Sequence, residues 1–113
     1  MTDPLTTDPD LYQLVFENDR VRVLEYQDRP GDRTHAHAHP DSVMITLSSF
    51  RRVITAGGRD HDVALDAHQI RWLDAQQHQG RNVGDTDTHS IFIELKEPRA
   101  SAAGEPRLGP SAS

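Results

Sequence analysis

The chain has 113 residues, with 12 Lys and Arg against 18 Asp and Glu for a net charge of −6, and 35% of it is hydrophobic. That length predicts one domain, and no apolar run approaches the roughly 20 residues of a membrane helix. The acidic balance argues against nucleic-acid backbones, whose general binding needs clustered positive charge. No cysteine is present, which removes disulfide frameworks, thiolate metal sites and thiol nucleophiles together.

Residues 1–10, MTDPLTTDPD, have no hydrophobic period and are expected to form a flexible tail. Met1-Thr2-Asp3-Pro4 is no cationic leader ahead of an apolar stretch, so a cytoplasmic protein is expected rather than a secreted one. Residues 11–96 read as the folded domain. Segments 14–16 and 21–26, hinged at Asn18-Asp19, form a hairpin pattern. Residues 43–47 place Val43, Ile45 and Leu47 on one face. Segments 50–55 and 61–65 flank Gly57-Gly58, where positive φ costs nothing. Further strand patterns cover 70–73, 78–83 and 90–95, with turn residues at Pro30-Gly31, Asp66-Ala67 and Gly84-Asp85. About eight or nine short strands predict an all-β fold, an antiparallel sandwich or small barrel. Residues 97–113, rich in Pro, Ala, Gly and Ser, are expected to be a second tail. So small a core predicts a homodimer or a bound metal.

Seven histidines stand out. In Thr34-His35-Ala36-His37-Ala38-His39-Pro40 the imidazoles alternate with alanine. In an extended strand, residues two apart share a face at about 6–7 Å, near enough for two ring nitrogens to converge on one ion. Three consecutive ones do not all reach it comfortably, so one of the outer pair, His35 or His39, is expected to stand aside.

Residues 78–84, His-Gln-Gly-Arg-Asn-Val-Gly, give H-x-x-x-N-x-G. With Gly31, five residues, then His37-Ala38-His39, the chain resembles the cupin superfamily in both of its signatures. The likeness runs over residues 15–96. The H-x-H-P-D run and the closing Glu94-Leu95-Lys96 are similar to small bacterial cupins labelled cytoplasmic or β-alanine-degradation proteins. The resemblance implies a β-barrel of jelly-roll type with His37, His39 and His78 as metal ligands and His35 as the bystander. The glutamate that cupins usually supply four or five residues after the second histidine is replaced by Val43 or Met44. A carboxylate restored at position 43 is therefore expected to tighten Fe or Mn binding.

Three neutral imidazoles leave a divalent ion its full charge and open positions for water, substrate or dioxygen. Fe, Zn, Ni, Mn and Cu all suit such a site. Some cupin dioxygenases for thiols and for diketones are similar in lacking the carboxylate. The resemblance therefore implies an oxidoreductase, a dioxygenase acting on a small chelating substrate, with a metal-dependent isomerase or lyase and a non-catalytic sensor or accessory module as alternatives. Gln76, Arg81 and Tyr26 are the candidate substrate contacts, and His35, Asp41 and Asn82 the candidate supports of the ligands. Arg22, Arg51, Arg52, Arg71 and Arg81 are the candidate cations for an anionic ligand, and most of them are expected to be solvated. His61, His68 and His89 read as solvated, and Trp72 and Phe92 as core. The expected partners are a small molecule and a second copy of the chain, with neither nucleic acid nor membrane.

Overall fold

The computed structural model describes residues 3–96. In it a helical turn, α1 (Pro4–Thr7), precedes nine strands: β1 (Tyr12–Glu17), β2 (Val21–Asp28), β3 (His37–His39), β4 (Ser42–Thr46), β5 (Phe50–Ala56), β6 (Arg59–Leu65), β7 (Ile70–Leu73), β8 (Gln76–Asn82) and β9 (Thr88–Leu95). They form a five-stranded sheet, β1-β2-β9-β4-β7, and a four-stranded sheet, β3-β8-β5-β6. All of the pairings are antiparallel. No described helix is long and apolar enough to cross a membrane.

Local chemistry explains the hairpins. Asn18 Oδ1 accepts from the amides of Arg20 and Val21 and closes β1 onto β2. Ala56 pairs with Arg59, leaving Gly57 and Gly58 as a two-residue turn with φ of 61° and 75°. Such a turn follows the right-handed twist of its strands and needs positive φ at both positions.

Residues 3–10, within the stretch expected as an N-terminal tail, make specific contacts in the structure. Asp3 caps α1 by accepting from the Leu5 amide, and Pro4 enters the first turn, where its missing N–H is no loss. Arg22 grips both Asp3 oxygens, at 2.7 and 3.0 Å. The buried Asp8 accepts from the backbone and ring of His35. Charged hydrogen bonds, together with the buried Pro4 and Leu5 packed on the core, hold residues 3–10, and neither gives a hydrophobic period. The expected tail at 97–113 lies outside the described residues.

Alternation runs opposite to the usual sense in β4 and β9. Ser42, Met44 and Thr46 point between the sheets, as do Thr88, Ser90, Phe92 and Glu94, whereas Val43, Ile45, Ile91 and Ile93 lie on the outer face. Tyr12, Leu24, Tyr26, Met44 and Phe92 make the buried apolar cluster. Trp72, expected in the core, sits on the outer face and is 47% exposed. The sheets enclose a cavity of about 360 Å³ rather than a solid core.

Candidate metal centre

β3 presents His37 and His39 to one face, with Ala38 turned away. β8 runs antiparallel beside it, with His37 opposite His78 and His39 opposite Gln76. Pleat and register alone therefore assemble three imidazoles. Their ring centroids lie 4.7, 4.9 and 5.1 Å apart, and one nitrogen of each lies within 4.8 Å of the others. His37 and His39 are 1% and 2% exposed, while His78 is half-buried. Phe92 stacks on His39 with 18° between the planes.

Each ring has an acceptor at Nδ1. His37 Nδ1 lies 2.7 Å from the His35 carbonyl, His39 Nδ1 2.7 Å from Glu94 Oε2, and His78 Nδ1 2.8 Å from Gln76 Oε1. A carbonyl, a carboxylate and an amide oxygen can only accept, so each Nδ1 carries the proton. The three Nε2 lone pairs are thereby left unprotonated and converge. Holding a ligand imidazole's other N–H in this way fixes tautomer and orientation and raises basicity.

The charge balance agrees. Burial pushes the His78 imidazole down to about 3, helped by the neighbouring His39 and His37 rings. Burial, then His39, lowers His37 as well. Neutral rings are the metal-binding form. The Tyr12 hydroxyl, 3.3 Å from His37 Nε2 and 3.4 Å from His39 Nε2, has one proton for two lone pairs, which leaves acceptors facing each other with too few donors. A cation held by His37, His39 and His78 would satisfy the facing lone pairs.

A stability prediction follows. An imidazole with a lowered folded value favours the native state fully above its unfolded value of 6.5, and that advantage is lost as pH falls toward about 3. At pH 5, His78 alone is expected to cost the metal-free protein about 2 kcal/mol. Melting in chelator at pH 7 and pH 5 checks it: wild type should lose several degrees more than His78→Ala.

No family model matches the sequence, and no curated protein matches it. The fold does match solved structures. A cupin domain from Bordetella pertussis Tohama I shares 22% identity at a TM-score of 0.72, over 77% of this chain and 93% of that one. A double-stranded β-helix protein from Klebsiella pneumoniae shares 19%, over 75% of each chain, at 0.61. An RmlC-like cupin from Methanocaldococcus jannaschii shares 9%, over 75% of this chain and 78% of that one, also at 0.61. The chain has the cupin fold.

Within the cupin barrel the predicted residues divide by strand parity. His37, His39 and His78 come together as expected. Gln76, two residues before His78, shares its face, borders the cavity and holds its Nδ1. Arg81, three residues after His78, necessarily points the other way and is exposed. The cavity's cation is instead Arg52, opposite Asn82 on β5. Gly80 makes room for it, since a Cβ there would meet an Arg52 guanidinium nitrogen at 3.0 Å.

Tyr26 borders the cavity with its ring, but its hydroxyl is committed to the buried Asp28 and to Arg52. Asn82 hydrogen-bonds to no imidazole among the described residues. Its amide donates to Asp28 and the Thr86 carbonyl and its oxygen accepts from the Gly84 amide, pinning the turn into β9. Asp41 is likewise structural, accepting from the Ala75 amide. His35, the expected bystander, turns its side chain to solvent at 80% exposure, while its carbonyl accepts from His37 Nδ1. His61 is exposed at the cavity's edge, His68 is exposed, and His89 is half-buried against Glu25.

Three groups around the site had no site role in the sequence reading: Glu94, Tyr12 and Asp8. Glu94 is 2% exposed and shares the inward parity of Phe92 and Ser90. Arg22 Nη2 donates to its other oxygen at 2.8 Å.

Proposed function

We propose that the protein binds one divalent metal ion through Nε2 of His37, His39 and His78, and that this centre takes a small molecule with a chelating polar end and an apolar body. The observation that carries the reading is the set of three Nδ1 acceptors, which aims three lone pairs at one point beside the cavity. When bound, the ion supplies Lewis acidity and, as Fe(II), a place for dioxygen. Met44, Phe50, Leu65 and Phe92 exclude water and receive the apolar body. Two groups would orient the polar end: the Tyr12 hydroxyl, once an ion takes the two lone pairs it faces, and Ser90 Oγ, which is buried without a partner among the described residues.

No carboxylate lines the cavity among the described residues, and its one arginine, Arg52, is paired with Asp28. Isomerase and lyase chemistry generally calls for a positioned general base, for which His61, exposed at the cavity's edge, is the one described imidazole outside the ligand set. Dioxygenation, which the metal would support, is the first reading and non-catalytic binding the second. The test is oxygen uptake by Fe(II)-loaded, untagged protein with thiols, β-diketones and hydroxy acids. Substrate-dependent uptake that vanishes in His37→Ala supports the dioxygenase. No uptake with any of them, together with a thermal shift of the zinc form, supports the binding module.

The missing cupin carboxylate can be restored at one position only. Val43 faces outward, while Met44 faces the cavity and pairs with Phe92, which stacks on His39. Met44→Glu is expected to tighten Mn(II) or Fe(II) binding by about tenfold or more, because an anionic oxygen suits these ions better than a fourth neutral group. Val43→Glu is expected to leave it unchanged, contrary to the expectation from spacing. Calorimetric titration of both variants checks the pair.

A further inference from the structure

Gly80 is the next inward position after His78 on β8, about 7 Å along the strand. The Arg52 side chain, reaching across from β5, lies over it: a Cβ at residue 80 would meet Nη2 at 3.0 Å and Nε at 3.6 Å. Arg52 is only 6% exposed, and the tip of its guanidinium is fixed. Nη1 donates to Asp28 Oδ2 and Thr88 Oγ1, and Nη2 donates to the Tyr26 hydroxyl. A guanidinium carries five N–H donors. Those contacts leave its side, Nε–H and the second Nη2–H, without a partner among the described residues. Glycine at position 80 keeps the volume in front of that side open to the cavity. Unpaired donors on so buried a group are rare, because each has given up its hydration for nothing.

We infer that this side of Arg52 receives a neutral hydrogen-bond acceptor, the carbonyl of a ketone, ester or amide, at the end of the bound molecule remote from the metal. The inference deepens the reading of the metal centre and rests on it. One end of the molecule chelates the ion, and a carbonyl about two to four carbons further on reaches the guanidinium. A carboxylate suits the place less well. The charge of Arg52 is already matched by the buried Asp28, so an anion would share one cation with a second carboxylate and lose its water. Arg22 does hold two carboxylates, Asp3 and Glu94, but there the Asp3 side chain is 39% exposed and keeps its hydration. In front of Arg52 the walls are Met44, Phe50, Leu65 and Phe92. An uncharged acceptor meets both N–H groups without that cost. Asp28, Thr88 and Tyr26 hold the guanidinium in place beforehand, so little ordering remains to be done on binding.

Calorimetric titration of the full chain tests it with four hydroxamates of equal chain length. They are hexanohydroxamate, the two ketones with a carbonyl at its fourth or fifth carbon, and glutaric monohydroxamate. Hexanohydroxamate reads the metal centre alone. It is expected to bind the zinc-loaded form and not the metal-free form, and if zinc makes no difference the centre and the subsite fall together. One of the two ketones is expected to bind the zinc form about tenfold tighter than hexanohydroxamate, and glutaric monohydroxamate no tighter than it. Arg52→Lys keeps a cation for Asp28 but lacks the planar fork, and is expected to abolish the ketone's advantage over hexanohydroxamate. Should that variant not fold, the Arg52 Nε–H resonance of the wild type decides. It is expected to move with the tighter ketone and to stay in place with hexanohydroxamate; an unmoved resonance overturns the inference. Ketones that bind no tighter than hexanohydroxamate, a carboxylate preferred to both, or an advantage that survives in folded Arg52→Lys also overturn it, while leaving the metal centre standing.

Discussion

Untagged wild-type protein is expected to retain about one divalent ion per chain after gel filtration, and His37→Ala and His78→Ala less than a tenth of that. The effect is large because each variant removes one of three nitrogen donors and leaves a void that water fills poorly. Structural zinc binding amounts to roughly 10–16 kcal/mol spread over four ligands. Loss of one ligand is thus worth on the order of 3 kcal/mol, or about two orders of magnitude in affinity. His35→Ala is the control. Its ring is solvated and only its carbonyl orients His37, so metal content should stay near wild type. Metal analysis of the three variants by plasma mass spectrometry decides the matter. Equal metal in all of them would end the ligand assignment.

Glu94→Gln is expected to weaken metal binding by 10–100-fold although Glu94 is no ligand. The carboxylate is buried and both of its oxygens accept: Oε2 from His39 Nδ1 at 2.7 Å, Oε1 from Arg22 at 2.8 and 3.1 Å. An amide offers one oxygen and one NH₂. If the oxygen faces Arg22, the NH₂ confronts His39 Nδ1 and drives the ring to the tautomer with Nε2 protonated, which is no longer a ligand. If the oxygen faces His39, the NH₂ points at a guanidinium and leaves a half-buried cation short of an acceptor. Either outcome also costs about 2 kcal/mol of stability, since a buried charge-assisted hydrogen bond is lost. Zinc competition assays and chelator-treated melts read the two effects separately.

The strands were legible because turn residues and period-two alternation mark them, and every predicted segment lies in or overlaps an observed strand. Which face turns inward was not legible in β4 and β9. There the apolar residues Val43, Ile45, Ile91 and Ile93 lie outside and Ser42, Thr46, Ser90 and Glu94 inside. Alternation gives the period but not its sense, and a barrel that encloses a polar site reverses the usual one. The ligand set was legible because it resides in two short motifs whose strand parity carries straight into space. The same parity argument, applied to Arg81, would have removed it: three residues from His78 is the wrong face, while Gln76 at two is the right one. Glu94, Tyr12 and Asp8 reach the imidazoles from 55, 25 and 27 residues away along the chain. No local pattern encodes such contacts. Arg52 and Asp28 form a similarly remote pair.

The central claim is that three Nε2 lone pairs share one ion. Long-range ¹H–¹⁵N correlation of the histidine side chains tests it most directly, first on metal-free protein and then with one equivalent of Zn(II). The expected spectra show protonated Nδ1 and bare Nε2 for His37, His39 and His78 before metal, and a concerted shift of those three Nε2 resonances on addition, with His35, His61, His68 and His89 unmoved. Protonated Nε2 on two of the three rings, or zinc shifts confined to the exposed histidines, would contradict it.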